Sequence, residues 1–251
     1  MSQVLATTVA DGVVRLQLDR PPANALDAPL LAELAAALDA AVAGGARALI
    51  LTGRPGMFSG GLDVPALLPL PRPAIREFWE LFFGVTRALA ASPVPVIAAV
   101  SGHAPAGGAI LALHCDFRLA AAGRFRMGLN EVQVGLPVPP SILAALAAIV
   151  GPRVARRLAV RGELVPMDEA LALGLVDELV APEALDAAAV ERARELTALP
   201  PLAMNTTRRN VKADLLRLLA GPGDAALATD WWFGAETQAG MRRLVERLGK
   251  S

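Results

Sequence analysis

The sequence predicts an α/β fold, and three observations carry that reading. Apolar residues alternate with the two-residue period of strands, others recur at helical spacing, and the order strand, strand, helix repeats along the chain. Val14, Leu16 and Leu18 alternate with Arg15, Gln17 and Asp19, as in a half-buried strand, and Asp11-Gly12 suits a tight turn back to a partner over Val4–Val9. The protein therefore opens with a β-hairpin. After Pro21-Pro22, Leu30, Leu31, Leu34, Leu38 and Val42 recur at helical spacing, with Asp27 as cap, Pro29 in the first turn and Gly44-Gly45 as the stop. Ala48–Leu51 and Val96–Val100 are short apolar strands that run into turns at Thr52-Gly53 and Ser101-Gly102. A helix begins at Gly107-Gly108 and continues through His114, and Phe117–Ala120 returns as a strand. Pro65, Pro69, Pro71 and Pro73 make Val64–Ala74 read as a stiff, irregular loop of the kind that walls a pocket. Arg153–Val160, Met167–Leu173 and Ala184–Leu196 read as helices, with the strand-like Leu175–Val180 among them. Beyond residue 195 no strand signal remains, which predicts a core over residues 1–195 and a helical region over 196–251.

Composition bounds the function. With 251 residues, 54% of them hydrophobic and 19% charged, the chain buries a large core. Its 24 basic and 24 acidic side chains cancel, leaving no basic stripe for a phosphate backbone, so no nucleic-acid partner is expected. The most apolar runs, Val94–Val100 and Ile142–Val150, fall short of the roughly 20 residues of a membrane span. Met1–Val9 lacks the charged start and apolar centre of a cleavable leader. The one cysteine, Cys115, has no internal disulfide partner, and with two histidines a zinc site must lean on carboxylates. These features predict a soluble, cytoplasmic protein without a structural metal.

Three segments have the makings of chemistry. In Phe58-Ser59-Gly60-Gly61-Leu62-Asp63 two glycines permit a tight turn and leave amide N–H groups uncovered, the requirements of a cradle for an anion or a carbonyl oxygen. A Gly-Gly pair after a strand is more often just a plain turn. Ala104-Pro105-Ala106-Gly107-Gly108-Ala109 places small residues at a helix start, where unpaired N–H groups and the helix dipole favour negative charge. It is neither a Walker loop nor a GxGxxG fingerprint. In Gly128-Leu129-Asn130-Glu131-Val132-Gln133-Val134-Gly135 one carboxyl group sits among apolar neighbours, and desolvation moves such a group toward proton-shuttling range. No GxSxG elbow supports a Ser-His-Asp triad, and His103 and Cys115 read as packing residues. Trp231-Trp232-Phe233 reads as core or subunit interface, with a lid over a pocket as the functional alternative.

In order and spacing these segments resemble the crotonase, or enoyl-CoA hydratase/isomerase, superfamily, over essentially the whole chain from Val4 onward. The resemblance implies a crotonase-like spiral of ββα units with a helical C-terminal region, assembled as a homotrimer or dimer of trimers. It makes Leu18–Leu26, with Ala23 and Ala25, the first segment to touch coenzyme A. It makes the N–H groups of Leu62 and Gly107 the donors to a thioester oxygen, and places Gly60, Gly61, Asp63, Val64, Leu67 and Asn130 along the substrate. Leu67, Leu68, Ile75, Phe78 and Trp79 are candidates for an acyl slot, and Arg20, Arg54, Arg243 and Lys250 for the nucleotide's phosphates. Family hydratases use two carboxylates. Here the position of the first is Ile110, and the second is Glu131. Arg54–Asp63, Pro105–Gly108 and Gly128–Glu131 look most like the mitochondrial-type Δ3,Δ2-enoyl-CoA isomerases, which rely on one glutamate. That implies Glu131 as the catalytic base, an acyl-CoA substrate and no added cofactor. Hydration, decarboxylation, thioester hydrolysis and plain acyl-CoA binding are the alternatives the same fold allows.

Overall fold

The computed structural model describes residues 2–221 and 223–249; Lys250 lies outside them. The chain opens with an antiparallel hairpin, β1 (Val4–Ala10) and β2 (Val13–Leu18), turning at Asp11-Gly12. In α1 (Ala28–Ala43) the Asp27 carboxylate accepts a hydrogen bond from the Leu30 N–H at 2.9 Å, and Leu30, Leu31, Leu34 and Leu38 face the core. Three repeats follow. The first is β3 (Ala48–Thr52), β4 (Gly56–Met57), a single helical turn α2 (Val64–Leu67) and the long α3 (Arg72–Ala91). The second is β5 (Val96–Val100), β6 (Gly102–Pro105) and α4 (Gly107–His114). The third is β7 (Phe117–Ala121), β8 (Arg126–Gly128), a 3-10 turn over Glu131–Val134 and α5 (Pro140–Arg161). Then come β9 (Val165–Pro166), α6 (Met167–Ala172), β10 (Glu178–Val180) and five helices, α7 (Leu185–Thr197), α8 (Pro201–Val211), α9 (Ala213–Leu219), α10 (Gly223–Trp232) and α11 (Ala235–Leu248).

Two sheets form, in the orders β1-β2-β3-β5-β7-β10 and β4-β6-β8-β9. In the first, β2, β3, β5, β7 and β10 run parallel. Parallel strands are covered on both faces, which is why every residue of β3 and β5 is buried. Ala48 and Ile50 of β3 point to α7, whose Leu185, Ala189 and Ala193 close that side, while Leu49 and Leu51 point to the larger core under α1, α3 and α4. Each of β3, β5 and β7 hands its chain to a strand of the smaller sheet before turning into a helix. The turns after β4, β6 and β8 are the segments carrying Gly60 to Asp63, Ala106 to Gly108 and Asn130 to Glu131.

The structure corrects three expectations. Val64–Ala74 is not a loop throughout: Pro65 sits in the first turn of α2, and Pro73 in the first turn of α3, where the missing N–H costs no helical hydrogen bond. The segment around His103, which reads as a turn, is β6, paired in parallel with β4 and β8. Arg153–Val160 is part of a longer α5 that kinks at Gly151, whose φ of 75° and ψ of 158° suit glycine alone.

Helices beyond residue 195 return to the body. Asp116 accepts from the Val96 N–H and pairs with Arg208 of α8 and with Lys212. Burial pushes the Asp116 carboxyl up, but the two cations outweigh it and hold the group below its usual range. Leu215, Leu219, Ala228, Trp232 and Met241 join the same hydrophobic core as α3 and α4. Trp232 is fully buried, edge-on to Trp79 at 6.2 Å, while Arg72 stacks on Phe233 at 4.9 Å.

Candidate active site

A cavity of about 310 Å³ opens where the three turns meet. Gly60, Leu62, Gly107, Ile110, Asn130 and Glu131 all line it. The first two turns touch through glycines. A Cβ on Gly61 (φ 84°) would come within 3.3 Å of the Gly107 nitrogen and 3.2 Å of the Ala106 Cβ, and a Cβ on Gly107 within 3.3 Å of the Gly61 Cα and 2.9 Å of Leu26 Cδ1. Side chains are excluded there, so the peptide that carries the Leu62 N–H lies against the start of α4. Leu26 and Leu62 form a one-residue parallel bridge in which the Leu26 N–H donates to Gly61 O at 2.7 Å and the Asp63 N–H to Leu26 O at 2.9 Å. That pattern uses the amides on either side of Leu62 and leaves its own N–H without an acceptor among the described residues. The Gly107 N–H is likewise unpaired, being the first of α4. Ala106 sets its direction by holding φ at 46°, a conformation unusual for alanine and fixed by its N–H to Gly128 O bond of 2.8 Å.

Glu131 begins the 3-10 turn and is 7% exposed. Neither carboxyl oxygen has a hydrogen-bond partner among the described residues, and burial pushes the group up from its usual value to about 7. Ile110 stands on the α4 wall, and Glu131 is the sole carboxyl among the described lining residues. The Asn130 side-chain oxygen is buried without a donor and faces the same cavity wall segment. The arrangement can hold an oxygen on two amides and move a proton at an adjoining carbon, because a carboxylate near 7 is half ionised at neutral pH and poorly solvated.

The other candidate residues fall into separate roles. Val64 lines the cavity; Ala23, Ala25, Gly61, Asp63 and Leu67 shape its frame instead. Ala23 O accepts from the Gly60 N–H at 2.7 Å, and Ala25 O from Arg20. Asp63 caps α2 and pairs with Arg20 at 2.6 Å, and Arg20 also meets Asp27 at 3.0 Å. Arg54 pairs with Asp19 at 3.2 Å. Both arginines therefore already have carboxylate partners. Of the proposed slot residues Trp79 reaches the cavity, whereas Leu67, Leu68, Ile75 and Phe78 do not line it. Phe82, Leu136, Ile142, Ala228, Met241 and Leu244 do line it and were not singled out by sequence. They come from α3, the loop before α5, α5, α10 and α11, segments distant along the chain, so no local motif joins them.

The sequence pattern of the Enoyl-CoA hydratase/isomerase family matches residues 8–249. The human mitochondrial enoyl-CoA delta isomerase 1 is 33% identical over 242 residues, covering 94% of this chain and 80% of that protein. A probable enoyl-CoA hydratase, echA17, of Mycobacterium avium is 33% identical over 222 residues, 85% of each chain. Among solved structures, that of the human mitochondrial delta3-delta2-enoyl-CoA isomerase superposes with a TM-score of 0.94 and 29% identity over 99% of both chains. The ββα repeats, the match along nearly the full length and the superposition together establish that the chain belongs to the enoyl-CoA hydratase/isomerase family, within the crotonase superfamily.

Proposed function

We propose that the protein is a Δ3,Δ2-enoyl-CoA isomerase, and the observation that carries this reading is the solitary Glu131 carboxyl in a largely apolar cavity beside two unpaired amides. The Leu62 and Gly107 N–H groups form an oxyanion hole for the thioester oxygen. Glu131, as the carboxylate, takes a proton from C2 of a 3-enoyl thioester. The electron pair spreads into a dienolate whose oxygen the amides stabilise, and each such donor contributes about 10²- to 10³-fold in rate. Glu131, now protonated, returns the proton to C4 on the same face, the double bond closes between C2 and C3, and the base is regenerated. No other group gains or loses electrons, so the route uses no added cofactor. Ile110 supports isomerisation over hydration, since adding water asks for a second polar group to orient and deprotonate it.

The same reading includes assembly as a homotrimer or a dimer of trimers. In support, α8 buries no residue of its own and leaves Leu202 and Val211 about four-fifths exposed, at 79% and 80%. The test of the activity is to incubate the protein with 3-hexenoyl-CoA and with 2-hexenoyl-CoA and to follow both the conjugated enoyl product and any 3-hydroxyacyl product. Conversion of the first substrate, with little hydration of the second, is expected. Predominant hydration of 2-hexenoyl-CoA would overturn the assignment in favour of a hydratase.

A further inference from the structure

The helix α11 reaches the Glu131 turn through one peptide unit. The carbonyl of Gly135 accepts from the Thr237 hydroxyl at 2.5 Å, and the N–H on the other side of the same peptide, that of Leu136, donates to the Glu131 carbonyl at 3.1 Å. A threonine hydroxyl in a helix commonly turns back onto its own preceding turn. Thr237, 2% exposed, reaches instead across 102 positions of sequence. Three positions on, the helix backbone lies against Val134, the last residue of the 3-10 turn: a Cβ on Gly240 would fall 2.1 Å from Val134 O and 2.9 Å from its Cα. Gly135, whose φ of 74° closes the turn, has no room for a Cβ either, with Glu236 Cγ at 2.9 Å. The other flank of the turn is fixed at the end of α5, where the Gln133 side chain donates to Gly162 O at 2.7 Å.

From these contacts we infer that Thr237 and Gly240 are positioning residues for Glu131: the hydroxyl holds the Gly135-Leu136 peptide, the missing side chain at 240 lets α11 lie on Val134, and together they keep the carboxyl in the cavity and out of water. The inference rests on the reading of Glu131 as the base. Two hydrogen bonds through one peptide polarise each other, and removing the first leaves the Gly135 carbonyl without that donor. A turn released by about 1 Å misplaces the carboxylate, which lowers the rate by up to about 10²-fold, and admits water to it. Hydration reverses the burial that raises the group to about 7. The charged groups that α11 and α5 bring to the turn are Glu236 beside Gly135, Arg247 on the cavity lining, and Arg161 and Glu163, paired at 2.9 Å on either side of Gly162. All of them remain when Thr237 is changed, so a moved titration reports water and geometry, not a lost charge.

The test uses the full chain and reads rate and titration separately. Thr237→Val keeps the shape of the side chain and removes the hydroxyl, Thr237→Ser keeps the hydroxyl, and Gly240→Ala pushes the helix off the turn by another route. With 3-hexenoyl-CoA, Thr237→Val is expected to lower kcat about 10- to 10²-fold with KM within about threefold of the parent. The midpoint of kcat against pH is expected to move down from about 7 toward the ordinary glutamate range. Thr237→Ser should behave as the parent in both. The Glu131 carboxyl is also followed by NMR in glutamate-labelled protein without substrate, with Glu131→Gln locating its signal, and its titration should fall in Thr237→Val and Gly240→Ala alike. Folded Thr237→Val whose carboxyl titrates as in the parent and whose kcat is unchanged contradicts the role, as does a loss that Thr237→Ser shares. Should the titration move in the variants while the parent isomerises no 3-enoyl-CoA, the positioning role stands and the isomerase reading falls.

Discussion

At the scale of single residues, the informative groups are those whose burial conflicts with their chemistry. The Glu131 carboxyl is raised from 4.5 to about 7, so between those values the folded protein holds a proton that the unfolded chain does not. Stability contributed by that proton is present below pH 4.5 and is lost as pH rises through 7, reaching about 3 kcal/mol for a shift of this size. Glu131→Gln is therefore expected to raise the midpoint of denaturant unfolding at pH 8 and to leave it nearly unchanged at pH 4.5; an equal effect at both would contradict the assigned cause. Catalysis runs the other way. The base must be ionised, so kcat should climb about tenfold per pH unit below 7 and level off above it. Cys115 has its thiol pushed up to about 12 by burial and is 1% exposed, so the native protein should resist alkylation at pH 8 and react only on unfolding. Sequence pointed to Glu131 only in company with the two glycine-rich segments and through the resemblance they carry together, since a glutamate among apolar neighbours is ordinarily a surface residue at an element's end. It did not reveal that both oxygens lack partners, which depends on α5 and α11 packing against the 3-10 turn.

At the scale of elements, the paired glycine turns place the two amides. Gly61→Ala drives a Cβ to within 3.2 to 3.3 Å of Ala106 and the Gly107 nitrogen at a φ of 84°, so it is expected to lower kcat by about 10² to 10³. Leu62→Ala keeps the N–H and should stay within about tenfold of the parent protein. If Leu62→Ala proved as damaging as Gly61→Ala in folded protein, the side chain and not the amide would be the working part. In α5, Gly151→Ala is expected to cost about 1 to 3 kcal/mol, because its backbone angles belong to glycine. The hairpin and α1 were legible because each carries its own period or caps, and the buried strands β3 and β5 because each is a short apolar run ending in a glycine turn. The strands β4, β6 and β8 were not, since two to four residues are too few to show a period. The whole of α3 went unread, its start set behind Pro71 and Pro73, which break a helix in its interior and suit its first turn.

At the scale of the whole molecule, the core and the C-terminal helices complete one site. Residues up to Ile142 supply the amides and the carboxyl, and Ala228, Met241 and Leu244 close the cavity around them. The sequence showed a helical region without showing where it docks, since that depends on Asp116 meeting Arg208 and Lys212 nearly 100 positions later. Asp116→Ala leaves two partly buried cations without their partner and is expected to cost about 3 to 5 kcal/mol, read as a lower denaturant midpoint. Loss of acyl-CoA affinity in the same variant would show the helices and the cavity to be coupled. The proposed reaction turns on one group moving one proton. Its most direct measurement compares the parent protein with Glu131→Gln for conversion of 3-hexenoyl-CoA to 2-hexenoyl-CoA, with acyl-CoA affinity measured alongside. A loss of 10²-fold or more in kcat with affinity retained is the expected result; full activity in the folded variant would contradict it.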